Sequence, residues 1–160
     1  MKSQHSKFIA CSRKLFSFLI DKYGFREIHS KTSSYGDEIL YKNATTGVLV
    51  RWEFRDRYIY VALIKLIHGN VPPYPIFIRS KSNIDWFYLD DLLSIRRKNF
   101  EALQADFQNE DEKKLTVKLK KISVYLEREA EDVLKGDFSV FPKLDLIVKE
   151  RAKRLRLGGN

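Results

Sequence analysis

A stretch with a two-residue period constrains the fold of this chain most strongly. Between residues 37 and 67, large apolar side chains recur at every second position, as at Ile39 and Tyr41. This alternation is typical of β-strands with one buried face. Turn residues at 43–47 and 55–57 divide the stretch, so the sequence predicts three strands in an antiparallel meander.

Helical patterns lie on both sides of this meander. Apolar residues between positions 6 and 23 repeat at three- and four-residue spacing, and Gly24 follows where a helix would end. The same spacing predicts a long helix over 115–133 and another helix that begins near Pro142. Charged residues occupy the remaining positions, so each helix has one face to bury.

Prolines interrupt the chain after the meander. Three of the four residues 72–75 are proline, which removes backbone donors and rules out the interior of a helix or strand. Residues 68–75 are therefore predicted to form a rigid loop. Short extended pieces are predicted at 76–78 and 86–89. A helix capped by Asp90 or Asp91 is then predicted to run to about residue 98.

These elements predict a single α+β domain over residues 1–157, with 158–160 as a frayed tail. An antiparallel three- to four-stranded meander is expected to pack against an N-terminal helix and a C-terminal helix pair. With 160 residues and 44% hydrophobic content, the chain is long enough to bury one core without a metal or a disulfide.

The compartment follows from a few residues. Cys11 is the only cysteine, which excludes an intramolecular disulfide and favours the reducing cytoplasm. The longest apolar stretch, 58–64, is far shorter than the roughly 20 residues that a helix needs to cross a bilayer. A cytoplasmic protein without a membrane partner is therefore expected, and no feature of the sequence defines its oligomeric state.

Three blocks of sequence carry a resemblance to other proteins. They are residues 19–25 (LIDKYGF), 88–93 (YLDDLL) and 134–142 (LKGDFSVFP). With the order of elements around them, the chain resembles a loosely related set of small bacterial cytoplasmic proteins, some of them immunity-protein-like. The resemblance implies a fold and no active site. Immunity proteins that neutralise basic nucleases tend to be acidic, whereas this chain carries a net charge of +9.

Motifs for catalysis are scarce in the sequence. The three histidines are isolated, and the chain has no Cys-x-x-Cys pair and no phosphate-binding glycine loop, so neither a metal site nor a cofactor is predicted. One pattern is similar to the core of metal-dependent restriction-like nucleases, in which two carboxylates hold a divalent cation. Here Asp37 begins one strand, Glu53 ends the next, and Arg55 replaces the usual lysine. A solvated strand face gives the same pattern and is the favoured interpretation.

Basic residues are concentrated at both ends of the chain. Such an excess suits the phosphates of RNA or DNA, although a helix dipole also favours cations in its last turn. The two ends form one patch only if they meet in space. The candidate nucleic-acid contacts are Arg13, Lys14, Lys149, Arg151, Lys153, Arg154 and Arg156.

A third candidate surface combines prolines with aromatic residues. Pro73 and Tyr74 lie in the rigid loop, and Trp86 and Tyr88 follow it. A rigid aromatic surface loses little conformational entropy on docking a protein, and the same residues could instead cover a sheet edge. The leading hypothesis is a non-enzymatic binding protein whose protein partner has an acidic surface. Binding of RNA or DNA is the alternative, and a nuclease is the third.

Overall fold

The computed structural model describes residues 2–97 and 112–157. Its centre is a five-stranded antiparallel sheet in which every strand pairs with the next one along the chain. The predicted α+β class and meander are confirmed, with one or two strands more than expected. The strands are β1 (Arg26–Thr32), β2 (Gly36–Lys42), β3 (Thr46–Glu53), β4 (Tyr58–Lys65) and β5 (Trp86–Tyr88).

The helices of the described residues all pack on one face of this sheet. α1 contacts β2 and α4, whereas α3 and α6 lie over β4 and β5 at the other edge. Strand residues such as Ile39, Val50 and Leu63 meet helix residues such as Leu92 and Leu119 in one buried core. The helices are α1 (Lys2–Leu15), α2 (Ser17–Tyr23), α3 (Leu89–Arg96), α4 (Glu112–Glu129), α5 (Glu131–Leu134) and α6 (Phe141–Leu157).

Two of the predicted helices are divided. The first is broken at Phe16, and the long helix is broken at Ala130, where the backbone leaves helical geometry. Both residues are fully buried, so each break lets the chain change direction while it stays in contact with the core. Gly24 ends α2 as predicted, with a φ of 69° that few other residues adopt.

β1 is the strand that the sequence pattern does not predict. Most of its side chains are exposed, so it has no apolar face to reveal it. It is held by backbone pairing to β2, with a register shift at Ile28, and by the ion pair between Arg13 and Glu27 at 2.8 Å. The predicted extended piece at 76–78 is wrong as a strand, because this segment forms part of an irregular loop.

The start of α3 also differs from the expectation. Tyr88 is the N-cap residue, without a side-chain hydrogen bond, and Asp90 and Asp91 lie in the first helical turn. Their predicted capping role is wrong because Tyr58 and Arg151 donate hydrogen bonds to them instead. The helix ends at Arg96, and Arg97 is already extended, so the predicted end near residue 98 is about two residues too late. The predicted tail at 158–160 lies outside the described residues.

Candidate functional site

The face of the sheet opposite the helices is covered over only part of its area. The covering segment is the proline loop, which we define as residues 66–85 between β4 and β5. Trp86 donates a hydrogen bond of 2.7 Å to the carbonyl of Pro72, and Lys42 donates one of 3.0 Å to the carbonyl of Gly69. Beneath the loop lies a second, smaller core formed by Leu40, Leu49, Ala62, Ile64 and Leu66.

Beyond the loop, four tyrosines form a partly exposed surface, which we call the tyrosine face: Tyr58, Tyr60, Tyr74 and Tyr88. The first two are on β4, and Tyr88 is on β5 beside them, because Ala62 pairs with Tyr88. The ring centroids of Tyr58 and Tyr60 are 6.0 Å apart, and those of Tyr60 and Tyr88 are 5.1 Å apart. Tyr74 reaches this surface from the loop and packs on Trp86 at 6.1 Å. Alternation along the strands therefore gathers these rings on one side.

Tyr58 is fixed by a hydrogen bond from its hydroxyl to Asp90 Oδ2. Burial raises the pKa of Tyr58 well above its ordinary value, and the negative charge of Asp90 raises it further. Burial also raises the pKa of Asp90, although the hydrogen bond from Tyr58 opposes this shift. The phenol therefore remains a proton donor at neutral pH, so it holds Asp90 and orients its own ring.

Arginines border the tyrosine face on two sides. Arg151 donates two hydrogen bonds from Nη2 to the carboxylate of Asp91, at 2.9 and 2.8 Å. The Arg151 side chain is 52% exposed, whereas that of Asp91 is only 9% exposed. Arg51 contacts Glu53 at 2.7 Å and Glu38 at 3.4 Å on the same side of the sheet. At Arg151, therefore, the cation is presented to solvent and its counter-charge is not.

The structure brings together three of the four residues predicted for protein docking. Tyr74 packs edge-on against Trp86. Phe87 separates Trp86 from Tyr88 and points into the core, so Trp86 and Tyr88 lie on the same face of the sheet. Pro73 is exposed in the adjoining loop. The sequence interpretation assigned neither Tyr58 nor Tyr60 to this surface. Two tyrosines separated by one residue in a strand lie on the same face, so the spacing was a usable signal.

The residues predicted for the nuclease are not brought to one point. Asp37 pairs with Trp52 across β2 and β3, so its side chain lies on the core face and is fully buried. Glu53 is the next residue after Trp52 and therefore points to the opposite face. Arg55 is exposed in the turn after β3. The two carboxylates are thus separated by the thickness of the sheet.

The two basic ends of the chain lie over opposite edges of the sheet. α1 packs near β2, and α6 packs near β5. Lys14, Lys153 and Arg156 are exposed. The other candidate nucleic-acid contacts make ion pairs: Arg13 with Glu27 at 2.8 Å, Lys149 with Asp145 at 2.8 Å, Arg151 with Asp91 at 2.8 Å and Arg154 with Glu150 at 3.5 Å.

A charged pocket of about 500 Å³ lies between the end of α3 and α5. Its walls carry both signs of charge, and the charges pair with each other. Arg96 contacts Asp132 at 2.6 Å, and Lys135 contacts Glu131 at 2.6 Å. The hydrogen bond from Arg96 lowers the pKa of Asp132. The pair of Arg96 and Asp132 joins α3 to α5, and the pair of Lys135 and Glu131 lies within α5 and its C-cap, so both have a structural role.

Two further findings concern ligands and relatives. Within residues 2–97 and 112–157, no three His, Cys, Asp or Glu side chains are grouped in a way that could hold a metal ion, and no helix has the length and apolar character needed to cross a membrane. Comparison with known proteins finds no matching family model, no matching curated protein and no matching solved structure.

Proposed function

We propose that this chain is a non-enzymatic binding protein that docks an acidic surface of a protein partner through the tyrosine face. The observation that carries the proposal is the row of tyrosine rings in mutual contact, Tyr58 stacked on Tyr60 and Tyr60 edge-on to Tyr88, on the part of the sheet that the proline loop leaves open. Tyrosine and arginine are the side chains most enriched at the energetic centres of protein interfaces.

The tyrosine face is organised before any partner arrives. Tyr58 is held by Asp90, and Tyr60 lies between the rings of Tyr58 and Tyr88. Because tyrosine has few rotatable bonds and these rings already contact one another, little side-chain entropy remains to be lost on docking. Each ring also presents an apolar surface beside a hydroxyl group, which suits a partly polar protein surface.

The charges around this face favour an acidic partner. Arg151 is half exposed beside it, while the carboxylate that pairs with it is buried. The whole chain carries a net charge of +9. Complementary charge of this kind increases the rate of association and selects among partners more than it increases affinity. We place this activity in the cytoplasm, in keeping with the free thiol of Cys11.

The test is quantitative affinity capture with the tagged chain, followed by identification of the bound proteins. Tyr88→Glu introduces a negative charge on the tyrosine face and is expected to reduce capture of the specific partner by about tenfold or more. Tyr35→Glu is the matched control, because Tyr35 is 74% exposed in the β1–β2 turn, whereas Tyr88 is on β5, three strands along the sheet from β2. Equal capture by both variants would refute the proposal.

Binding of nucleic acid is the alternative outcome, carried by the exposed cations at the end of α6. Fluorescence anisotropy with mixed-sequence oligonucleotides at two salt concentrations separates the two functions. A nucleic-acid complex weakens with salt with a slope near −0.9 per neutralised phosphate. Its affinity would also fall in the variant Lys153→Glu/Arg156→Glu and would be unchanged in the variant Tyr88→Glu. Nuclease activity is tested by adding magnesium to the same samples and analysing them on a gel for cleavage.

A further inference from the structure

The proline loop ends in an exposed apolar tip, which we define as Ile76 and Phe77. Their exposed fractions are 91% and 75%, and Ile76 is the most exposed of the large hydrophobic residues that the structure describes. These two bulky apolar side chains are consecutive and mostly exposed, so they form a small apolar patch, whereas exposed apolar residues elsewhere, such as Leu146 and Val117, occur singly. The tip follows Tyr74 of the tyrosine face by two residues, and the function proposed for that face does not account for its exposure.

The turn behind the tip is held by hydrogen bonds. The backbone N–H of Arg79 donates to Ser82 Oγ at 2.9 Å, and this hydroxyl donates to the carbonyl of Phe77 at 3.3 Å. The N–H of Ser82 donates to the carbonyl of Arg79 at 3.0 Å. Trp86 anchors the base of the loop on Pro72. The two apolar side chains are therefore presented by an ordered turn.

The charges near the tip are all positive in sequence. Arg79 and Lys81 follow it directly, and both are exposed. No aspartate or glutamate occurs between Asp56 and Asp85. The tip thus combines an exposed apolar end with two exposed cations close behind it in the sequence.

We infer that the loop tip docks this protein onto an anionic lipid bilayer. Ile76 and Phe77 enter the boundary between headgroups and acyl chains, while Arg79 and Lys81 contact the lipid phosphates. A bilayer accepts a convex apolar tip of any shape, whereas a protein partner would need a pocket matched to it. The association is peripheral and involves the loop tip.

Sedimentation with lipid vesicles tests this inference. We expect the chain to bind vesicles that contain phosphatidylserine and to bind pure phosphatidylcholine vesicles much more weakly. Ile76→Ser/Phe77→Ser should reduce the partition coefficient by about tenfold or more, because two apolar side chains no longer enter the bilayer. Arg79→Glu and Lys81→Glu should each reduce it by at least about fivefold, which is the contribution of one cation near an anionic surface.

The matched control is Leu146→Ser, because Leu146 is 69% exposed on α6, outside the proline loop. It should leave vesicle binding unchanged. A separate readout uses Phe77→Trp, whose added fluorescence should be quenched by brominated lipids, whereas that of Leu146→Trp should not. The inference is overturned if the chain does not bind anionic vesicles, or if the double variant Ile76→Ser/Phe77→Ser binds them like the wild type. Loss of a captured protein in the tip variant without vesicle binding would assign the tip to a protein partner.

Discussion

The two faces of the sheet are built by the same strands and differ in what covers them. On the core face, apolar residues from every strand but β1 meet helices from both ends of the chain. On the other face, a single loop from the middle of the chain covers a small cluster and leaves the tyrosines partly exposed. The difference indicates that one face provides stability and the other provides a surface for recognition.

The hydroxyl groups of two tyrosines show this difference most directly. Tyr41 points into the core, and its hydroxyl has no hydrogen-bond partner among the described residues. Burial raises its pKa to about 12. Tyr58 lies on the other face, and its hydroxyl donates to Asp90. The same functional group therefore costs stability on one face and contributes it on the other.

The largest effect is expected from a truncation on the core face. Leu63 is fully buried between β3 and β5, where it pairs with Val48 and Phe87. Leu63→Ala removes buried apolar contacts and leaves a cavity, so the free energy of unfolding should fall by about 2–5 kcal/mol. Chemical denaturation measures the change, with Tyr35→Ala as an exposed control. A loss below about 1 kcal/mol would mean that this face is not the main source of stability.

Replacing each of the two tyrosines with phenylalanine should have effects of opposite sign. Tyr58→Phe deprives the half-buried carboxylate of Asp90 of a donor, so the free energy of unfolding should fall by about 1.5–3 kcal/mol. Tyr41→Phe removes a buried hydroxyl without a partner and should leave stability unchanged or raise it by about 1 kcal/mol. Denaturation midpoints of the two variants give the comparison. Losses of equal size would contradict the assignment of the two hydroxyls.

The smallest effect is the dependence of stability on acidic pH. Burial raises the pKa of Asp90 above its ordinary value of 3.8. When the pH is above this raised pKa, the ionised carboxylate lowers the free energy of unfolding, and this penalty disappears as the pH falls to 3.8. Arg96 lowers the pKa of Asp132, which therefore contributes stability above 3.8 and loses it as the pH falls further.

The variants Asp90→Asn and Asp132→Asn separate these two contributions. Relative to Asp90→Asn, the wild type should gain stability as the pH is lowered towards 3.8. Relative to Asp132→Asn, it should lose stability as the pH is lowered below 3.8. Unfolding curves across the acidic range provide the measurement. Parallel curves for the wild type and Asp90→Asn would show that Asp90 is not desolvated.

The sequence predicts the core face better than the other face, for a physical reason. Burial beneath helices imposes a strict period, so Ile39, Tyr41, Val48 and Val50 could be assigned to one face from spacing alone. β1 has no such pattern because its position depends on backbone pairing. The partners of Asp91 and Tyr58 also could not be predicted, since these contacts join residues that are 60 and 32 positions apart.

The docking candidates Tyr74, Trp86 and Tyr88 could be identified because rigid prolines and aromatic residues stand out in the sequence. Tyr58 and Tyr60 lie in the longest apolar stretch, 58–64, where apolar residues at every position hide which side chains share a face. Arg151 was assigned to nucleic acid on charge alone, although its pairing with Asp91 depends on where α6 crosses α3. Charge in a sequence does not reveal which cations already have a partner.

The turn between β2 and β3 has a consequence for synthesis on the ribosome. Asn43 donates a hydrogen bond to the carbonyl of Leu134, and Thr46 donates one to the carbonyl of Val133, residues that are 91 and 87 positions away. The meander pairs only neighbouring strands, so its first four strands emerge from the ribosome long before α4 and α5 exist. During that interval the nascent sheet has an apolar face without its main cover, and this is the stage at which a chaperone would have most to protect.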